Sequence, residues 1–224
     1  MKIWSRFHSA YQWWIPQVNT LKTLGRDSNN FVYRIDLLSQ HESNRATSFE
    51  NELMGKPGTV SLPADASSIT IRISNPQALV NHETRVENEV AAMVLMRDAL
   101  SSYSSQLIPQ VYDWNSASSA NTIIGYILQE HKSGIGLDSS FGLGSSSEHE
   151  RSFQALDKVR KRDLLRQIAE VFKLIQSYEL PASVKGYGGL RFDKEGKIII
   201  GPTTIPCGGP FETFLEMYAQ MLRH

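Results

Sequence analysis

The sequence predicts an α+β protein: a five-stranded antiparallel N-terminal lobe that carries one helix, followed by a mainly helical C-terminal lobe. Runs rich in β-branched and aromatic residues are typical of strands, and five occur early in the chain, at 21–24, 31–38, 68–74, 107–115 and 122–131. One run of strong helix formers without Gly or Pro, residues 82–100, lies between the third and the fourth. After residue 132 the chain is rich in Gly and Ser and then helical in period. We therefore divide the chain into residues 1–131 and 132–224.

The N-terminus predicts a short helix with an aromatic face. Trp4, Phe7, Tyr11 and Trp14 recur every three or four residues, and Pro16 ends the pattern. Core packing, or a lid over a neighbouring lobe, accounts for such a face. We assign it no binding role.

The stretch LKTLGRDSNNFVYRID, residues 21–36, predicts an antiparallel hairpin. Its two apolar runs flank GRDSNN, whose residue types favour turns. Residues 39–67, which follow, are polar and are broken by Pro57 and Pro63. They are typical of an inserted surface loop.

The third strand carries a cation, and the next helix carries a carboxylate on its apolar side. Ile69, Ile71 and Ile73 alternate with polar residues, so Arg72 lies on the opposite face of the strand. At 100° per residue, Glu89 falls on the apolar side of the helix. A carboxylate on that side requires a cation nearby.

The second lobe contains two apolar stripes that are typical of amphipathic helices. Between them, GYGGLRFDKEGKIIIGP predicts a small hairpin and IPCGGPF a turn. If nothing covers the stripes, a contiguous apolar patch faces water, and we expect the chain to associate with itself or with another chain. The stripes consist of Leu164, Leu165, Ile168, Ala169, Phe172 and Ile175, and of Phe214, Met217, Tyr218 and Met221.

Composition argues against several classes of function. The 224 residues contain 23 Lys plus Arg and 23 Asp plus Glu, so no net charge draws the chain to nucleic acid or to an anionic membrane. No segment is long and apolar enough to span a bilayer, and the single Cys207 cannot form an intramolecular disulfide. We expect a cytoplasmic protein. Although the sequence alone allows Cys207 to be a nucleophile, we expect a buried, unreactive thiol.

The order of these parts resembles the protein-kinase-like fold, and the motifs resemble the aminoglycoside phosphotransferase family, in particular its large group in fungi. The segments that carry the resemblance, in the family's order, are TLGRDSNNFVYRI, ITIRI, ENEVAAM, LIPQVYDW, GYILQEHKSG, LLRQIAEVFKLIQS, GGLRFD, IIIGPT and GGPFETFLEMY. The resemblance covers nearly the whole chain, and its C-terminal lobe is then incomplete. It implies a kinase-type transferase with ATP as phosphoryl donor, magnesium as metal and a small-molecule hydroxyl as acceptor.

The resemblance assigns phosphate contacts to two places. The turn with Gly25, Ser28 and Asn29 would lie over the phosphates, and Arg72 would neutralise phosphate oxygens while Glu89 holds it in place. The family often has Lys where Arg72 stands, and several glycines where this turn has one. The residues by themselves also allow an alternative, in which Arg72 is solvated on an exposed strand face and Glu89 points away from it.

The resemblance assigns adenine contacts to the linker between the lobes. Glu130 and His131 lie at the end of the fifth predicted strand, and backbone groups there would hydrogen-bond to the base. The alternative is that their side chains only cap the strand.

The catalytic loop that the resemblance implies is absent from the sequence. In the family an Asp and an Asn come in the pattern His-x-Asp-x-x-x-x-Asn, and a second Asp holds magnesium. None of the six His residues is followed two places later by Asp, and no Asp occurs after Asp193. Asp113-Trp114 precedes the linker, and we interpret it as a strand-end turn. We therefore assign no catalytic and no metal-binding residue.

Two hypotheses for function follow. In the first, the chain is the nucleotide lobe and part of the acceptor lobe of a small-molecule phosphotransferase, inactive as it stands because it is a fragment from a truncated gene model or a split gene. In the second, it is a pseudokinase remnant that binds nucleotide or a partner protein without chemistry. We favour the first, and the sequence does not determine the acceptor.

Overall fold

The computed structural model describes residues 18–26, 28–38, 55–116, 124–134 and 156–223. The predicted N-terminal helix and residues 39–54 of the predicted loop lie outside these ranges. None of the helices in the described ranges is long and apolar enough to cross a membrane. The elements in those ranges are β1 (Val18–Arg26), β2 (Asn30–Leu37), β3 (Ser68–Ser74), α1 (His82–Ala99), β4 (Val111–Asn115), β5 (Tyr126–Glu130), α2 (Lys158–Ser177), β6 (Gly189–Phe192), β7 (Ile198–Gly201) and α3 (Phe214–Met221).

Strands β1 to β5 form one antiparallel sheet in the order β1-β2-β3-β5-β4. The predicted α+β class and the order of strands and helix in the first lobe are confirmed. β3 has the predicted bounds, whereas β4 begins at Val111 rather than at residue 107. Pro109 contributes to this difference because it has no N–H to donate to a strand ladder.

The sheet is packed on both faces. On one face Ile69, Ile71 and Ile73 are almost fully buried, as their alternation predicts. The other face is covered by α1 where Val90 packs against the β4 and β5 side chains Val111 and Ile127. Arg72 lies on this second face, with its cross-strand neighbours Val32 and Ile127.

Helix α1 is buried along two sides. The Asn81 side chain caps it by accepting a hydrogen bond from the backbone N–H two residues later, at 3.1 Å. Val90 packs on the sheet, whereas Ala91 and Leu95 pack on the β6–β7 hairpin, against Ile198. Apolar contacts therefore cross the boundary predicted near residue 132.

Two polar side chains of α1 also hydrogen-bond to the edge of β6. Asn88 Oδ1 accepts from the Leu190 N–H at 2.6 Å, and Glu87 Oε1 accepts from the Phe192 N–H at 2.8 Å. The two N–H groups are alternate backbone donors along one edge of β6. Side chains of α1 accept from them in place of the carbonyls of a neighbouring strand. Gly189 is required mainly by the Pro202 carbonyl, since a Cβ atom there would lie 2.2 Å from its oxygen, and it also leaves room for Asn88 Oδ1, which would lie 3.3 Å from such a Cβ.

Residues 55–67, the described part of the predicted loop, run along the surface and are held to β4. Lys56 Nζ lies 3.0 Å from Asp113 Oδ1 and 2.5 Å from the Trp114 carbonyl oxygen, and the Tyr126 hydroxyl donates to Asp113 Oδ2 at 2.5 Å. The interpretation of Asp113-Trp114 as a strand-end turn is wrong, because both residues lie within β4 and Asp113 is buried. A β-bulge breaks the alternation at the start of β4, and Lys56 supplies the cation that a buried carboxylate needs.

The apolar stripes of α2 and α3 face water over much of their length. Neither helix contains a buried residue. α3 begins with a capping box, in which the side chains of Thr213 and Glu216 bond to each other's backbone N–H groups. The predicted self-association stays a prediction. The exposed stripe residues are Leu165, Ile168, Phe172, Phe214, Tyr218 and Met221.

Substitution of Asn88 tests how α1 holds the hairpin. Asn88→Ala removes the acceptor for the Leu190 N–H, and we expect the free energy of unfolding to fall by about 1–3 kcal/mol, because a part-buried donor is left without this partner. Asn88→Asp keeps an oxygen in the same place and should cost less than about 1 kcal/mol. Urea denaturation of both variants measures the difference, and equal losses would show that the hydrogen bond is not what matters.

Candidate functional site

An ion pair joins the centre of the sheet to α1. Arg72 Nη2 on β3 contacts Glu89 Oε1 on α1, and about a quarter of each side chain is exposed. The pair that the resemblance implies is therefore present, and the alternative of a solvated Arg72 with Glu89 turned away is wrong. A guanidinium has five N–H donors in a planar fork, so Arg72 can hold Glu89 and a second anion at once.

The β1–β2 turn is pinned down by hydrogen bonds to its backbone carbonyls. The Ser28 carbonyl accepts from Asn75 Nδ2 at 2.9 Å. The Asn29 carbonyl accepts from the Asn75 N–H at 2.8 Å and from Arg85 Nη1 at 2.8 Å. A Cβ atom on Gly25 would meet nothing within 4 Å, so the space beside it is open. The turn leads into Asn30, the first residue of β2, which lies two residues before Val32, the cross-strand neighbour of Arg72.

Arg85 is a site residue that the sequence analysis missed. Its side chain is 7% exposed, and its Nη2 donates to Asn30 Oδ1 at 2.6 Å. An arginine near the start of a helix is ordinarily solvated, so nothing in its type pointed to burial. Its spacing did carry a signal, because residues four apart share one helix face and Arg85 precedes Glu89 by four.

The linker residues separate onto different faces. Glu130 pairs across the strand with Ile69, on the face opposite to Arg72. Its carboxylate accepts from the Gln110 N–H at 3.2 Å and lies 2.6 Å from Lys132 Nζ, and its own N–H donates to the Gln110 carbonyl at 2.8 Å. Its side chain and its N–H thus both bond to Gln110, the residue before β4. The predicted backbone contact of this segment with adenine stays a prediction.

His131 returns to the face that carries Arg72. Its Nδ1 lies 3.0 Å from the Thr70 hydroxyl, and Thr70 is two residues from Arg72 on β3. Burial, and then the positive charge of Arg34, lower the pKa of His131 below its usual value of 6.5. The lowered pKa favours the neutral form of the ring.

The end of the sheet beside His131 is a network of charged groups. Asp36 accepts from the Thr20 hydroxyl at 2.6 Å and from Arg34 Nε at 2.5 Å, and Lys22 Nζ lies 3.4 Å away. The Thr20 hydroxyl, followed by Arg34, lowers the pKa of Asp36 to about 2. Asp36 is thus ionised throughout the physiological range.

The face of the sheet that α1 partly covers therefore gathers most of the predicted residues. It has the pinned turn at one end, the Arg72–Glu89 pair in the middle and the His131 ring at the other end. Among the described residues, no three His, Cys, Asp or Glu side chains come together closely enough to hold a metal ion. We assign no magnesium ligand. Cys207 is buried, with its Sγ 3.1 Å from the Thr203 hydroxyl.

The titration of His131 tests this electrostatic arrangement. We expect a pKa below 6.5 in the native chain and a higher pKa in Arg34→Gln, because that change removes a nearby cation and leaves the Asp36 carboxylate, which raises the pKa. NMR titration of the imidazole ring protons measures both values. Arg191→Gln on β6 is the control and should leave the pKa unchanged. A fall, or no change, in Arg34→Gln would contradict the assigned cause.

Comparisons of the chain with protein-family models, with curated proteins and with solved structures return no match. The residues that carry the resemblance share three geometric features. These are the strand order, the ion pair between Arg72 and Glu89, and the hydrogen bond that joins the β1–β2 turn to α1.

Proposed function

We propose that the chain binds ATP as the nucleotide-binding lobe of a kinase-like fold of the aminoglycoside phosphotransferase type. The observation that supports this most is the ion pair between Arg72 and Glu89. It joins the third strand of a five-stranded antiparallel sheet to the helix that follows, beside a turn that is pinned to the same helix. A cation held in this way can contact phosphate oxygens without first being ordered.

The physical advantage of the pair is orientation. An arginine alone on a strand face samples many rotamers and loses that freedom when it binds an anion, at a cost of up to about 2 kcal/mol. Glu89 limits the rotamers of Arg72 beforehand, and bidentate guanidinium-to-phosphate hydrogen bonds are about twice as strong as neutral ones. Most of the ordering cost is therefore met in folding, and less is left for binding.

The base would lie toward the His131 end of the same face. Val32 is a half-buried apolar neighbour of Arg72 in the sheet and offers a surface for an aromatic base. The His131 ring beside Thr70, in the neutral form that its lowered pKa favours, supplies a polar edge without adding charge. These features favour a purine nucleotide over a simple inorganic phosphate.

For chemistry, we propose that this lobe serves phosphoryl transfer from ATP to a hydroxyl of a small molecule, with the transfer step depending on residues that this sequence does not contain. The second candidate is a nucleotide-binding protein without catalysis. It is favoured by the absence of a His-x-Asp-x-x-x-x-Asn motif from the sequence. The two candidates share the nucleotide site, and neither predicts turnover by this chain alone. The first predicts that the natural transcript also encodes a His-x-Asp-x-x-x-x-Asn motif and the second predicts that it does not, so the sequence of the full transcript decides between them.

Nucleotide binding is tested by thermal shift and by calorimetry with ATP. We expect ATP to raise the melting temperature of the native chain, because a ligand of the folded state stabilises it. Arg72→Ala should weaken binding by roughly 1.5–3 kcal/mol, or about 10- to 150-fold in Kd, the loss of a charge-assisted hydrogen bond. Glu89→Gln should give a smaller loss, because Arg72 stays but is held less firmly.

The control is Arg160→Ala on α2. Arg160 also pairs with a carboxylate, since its Nε lies 3.5 Å from Asp157 Oδ2, but the pair is exposed and lies on another helix. It should leave ATP affinity unchanged. Equal affinities of Arg72→Ala and the native chain would overturn the role of Arg72, and the lack of any ATP binding by a folded native chain would overturn the proposal as a whole. Measurements with and without magnesium show whether binding needs the metal.

A further inference from the structure

Helix α1 contacts two parts of the candidate site through one face. Glu89 holds Arg72 in the middle of the sheet. Arg85, one helical turn earlier, reaches the β1–β2 turn and donates to the Asn29 carbonyl at 2.8 Å and to Asn30 Oδ1 at 2.6 Å. The helix therefore connects the β1–β2 turn to Arg72 through two residues that lie one helical turn apart, about 5.4 Å along the helix axis.

The geometry of the Arg85 side chain suits this role. Its two terminal nitrogens contact the backbone carbonyl of Asn29 and the side-chain oxygen of Asn30, so the planar fork holds the place where the turn enters β2. The side chain is 7% exposed, and a buried guanidinium is kept in place by a high cost of leaving its acceptors. A compact ammonium group could not bridge the two acceptors in the same way.

A second anchor acts on the same turn from the end of β3. The Asn75 side chain donates to the Ser28 carbonyl at 2.9 Å, and its backbone N–H donates to the Asn29 carbonyl at 2.8 Å. Asn75 Oδ1 accepts from the Gln77 N–H at 3.1 Å, which fixes the amide in the orientation that donates to the turn. The Ser28 carbonyl is therefore held by Asn75 at the end of β3, and the Asn29 carbonyl is held by both Asn75 and Arg85.

We infer that Arg85, assisted by Asn75, is a positioning residue that holds the β1–β2 turn over the phosphate-binding face in a fixed relation to Arg72. This inference rests on the proposed ATP binding. It also accounts for a turn with one glycine, because side-chain anchors restrict the backbone where additional glycines would only have made it more adaptable. The ligand group concerned is the phosphate chain of the nucleotide and not its base.

The test compares one conservative substitution at two places on α1. Arg85→Lys keeps the positive charge and loses the fork. Arg97→Lys is the matched control, since Arg97 also donates to a backbone carbonyl, that of Pro109, at the far end of the helix. Calorimetry measures the Kd of ATP and of adenosine, which has no phosphate. We expect Arg85→Lys to weaken ATP binding by a factor of about 3 to 10, the size of one hydrogen bond, and to leave adenosine binding unchanged. Arg97→Lys should change neither.

A second measurement needs no nucleotide. Amide hydrogen exchange in the segment from Arg26 to Arg34 should become about 10-fold faster in Arg85→Lys, because the turn loses an anchor, and should stay as in the native chain in Arg97→Lys. Asn75→Asp gives an independent variant: it keeps the acceptor for Gln77, loses the donor to Ser28 and should speed exchange in the same segment. This measurement applies even if the chain proves not to bind ATP, so the two proposals fail separately.

Three results would overturn the inference. The first is unchanged exchange in the turn of both Arg85→Lys and Asn75→Asp. The second is an equal loss of ATP and adenosine affinity in Arg85→Lys, which would indicate a general structural role. The third is native ATP affinity in a chain whose turn exchanges faster, because the position of the turn would then not matter to the phosphates.

Discussion

The rotational setting of α1 is the constraint on which the rest of the structure depends. Successive helix residues are turned by about 100°, so Val90 faces the sheet while its neighbour Ala91 faces the β6–β7 hairpin. Two apolar faces buried against two different β-structures leave the helix no freedom to rotate. The remaining side, with Arg85 and Glu89, has to face the β1–β2 turn and Arg72. Apolar packing thus orients Arg85 and Glu89, so the polar contacts of the site do not have to fix the orientation of the helix.

The molecule has no net charge, and two cations of the candidate face are paired with carboxylates. The 23 basic and 23 acidic residues are equal in number, and Arg72 is paired with Glu89, as Arg34 is with Asp36. Such pairs orient both partners in the folded state. The proposed recognition of phosphate would therefore depend on short-range geometry more than on a long-range attractive field.

Packing divides the described chain unequally. The sheet, α1 and the β6–β7 hairpin share three clusters of buried side chains, whereas α2 and α3 have no buried residue and expose phenylalanines such as Phe172 and Phe214. Elements with few buried apolar contacts open at lower free energy than the core. The candidate site is therefore formed by the sheet and α1, which are among the well-packed elements. The exposed apolar faces belong to α2 and α3, which contribute no residue to the site.

The sequence by itself determined the α+β class, the order of the five strands and their helix along the chain, and the burial of Ile69, Ile71 and Ile73. Each follows from a period within one element or from the order of the elements, whereas the pairing of Arg72 with Glu89 was implied only by the family resemblance. The tertiary structure alone decided that Arg85 is buried against the turn, that Asp113 is held by Lys56, that Glu130 faces away from the site and that the hairpin docks on α1. Most of these contacts join residues that are 50 or more positions apart, and the others depend on a bulge or on cross-strand register. A pattern within one stretch of sequence cannot predict such pairings.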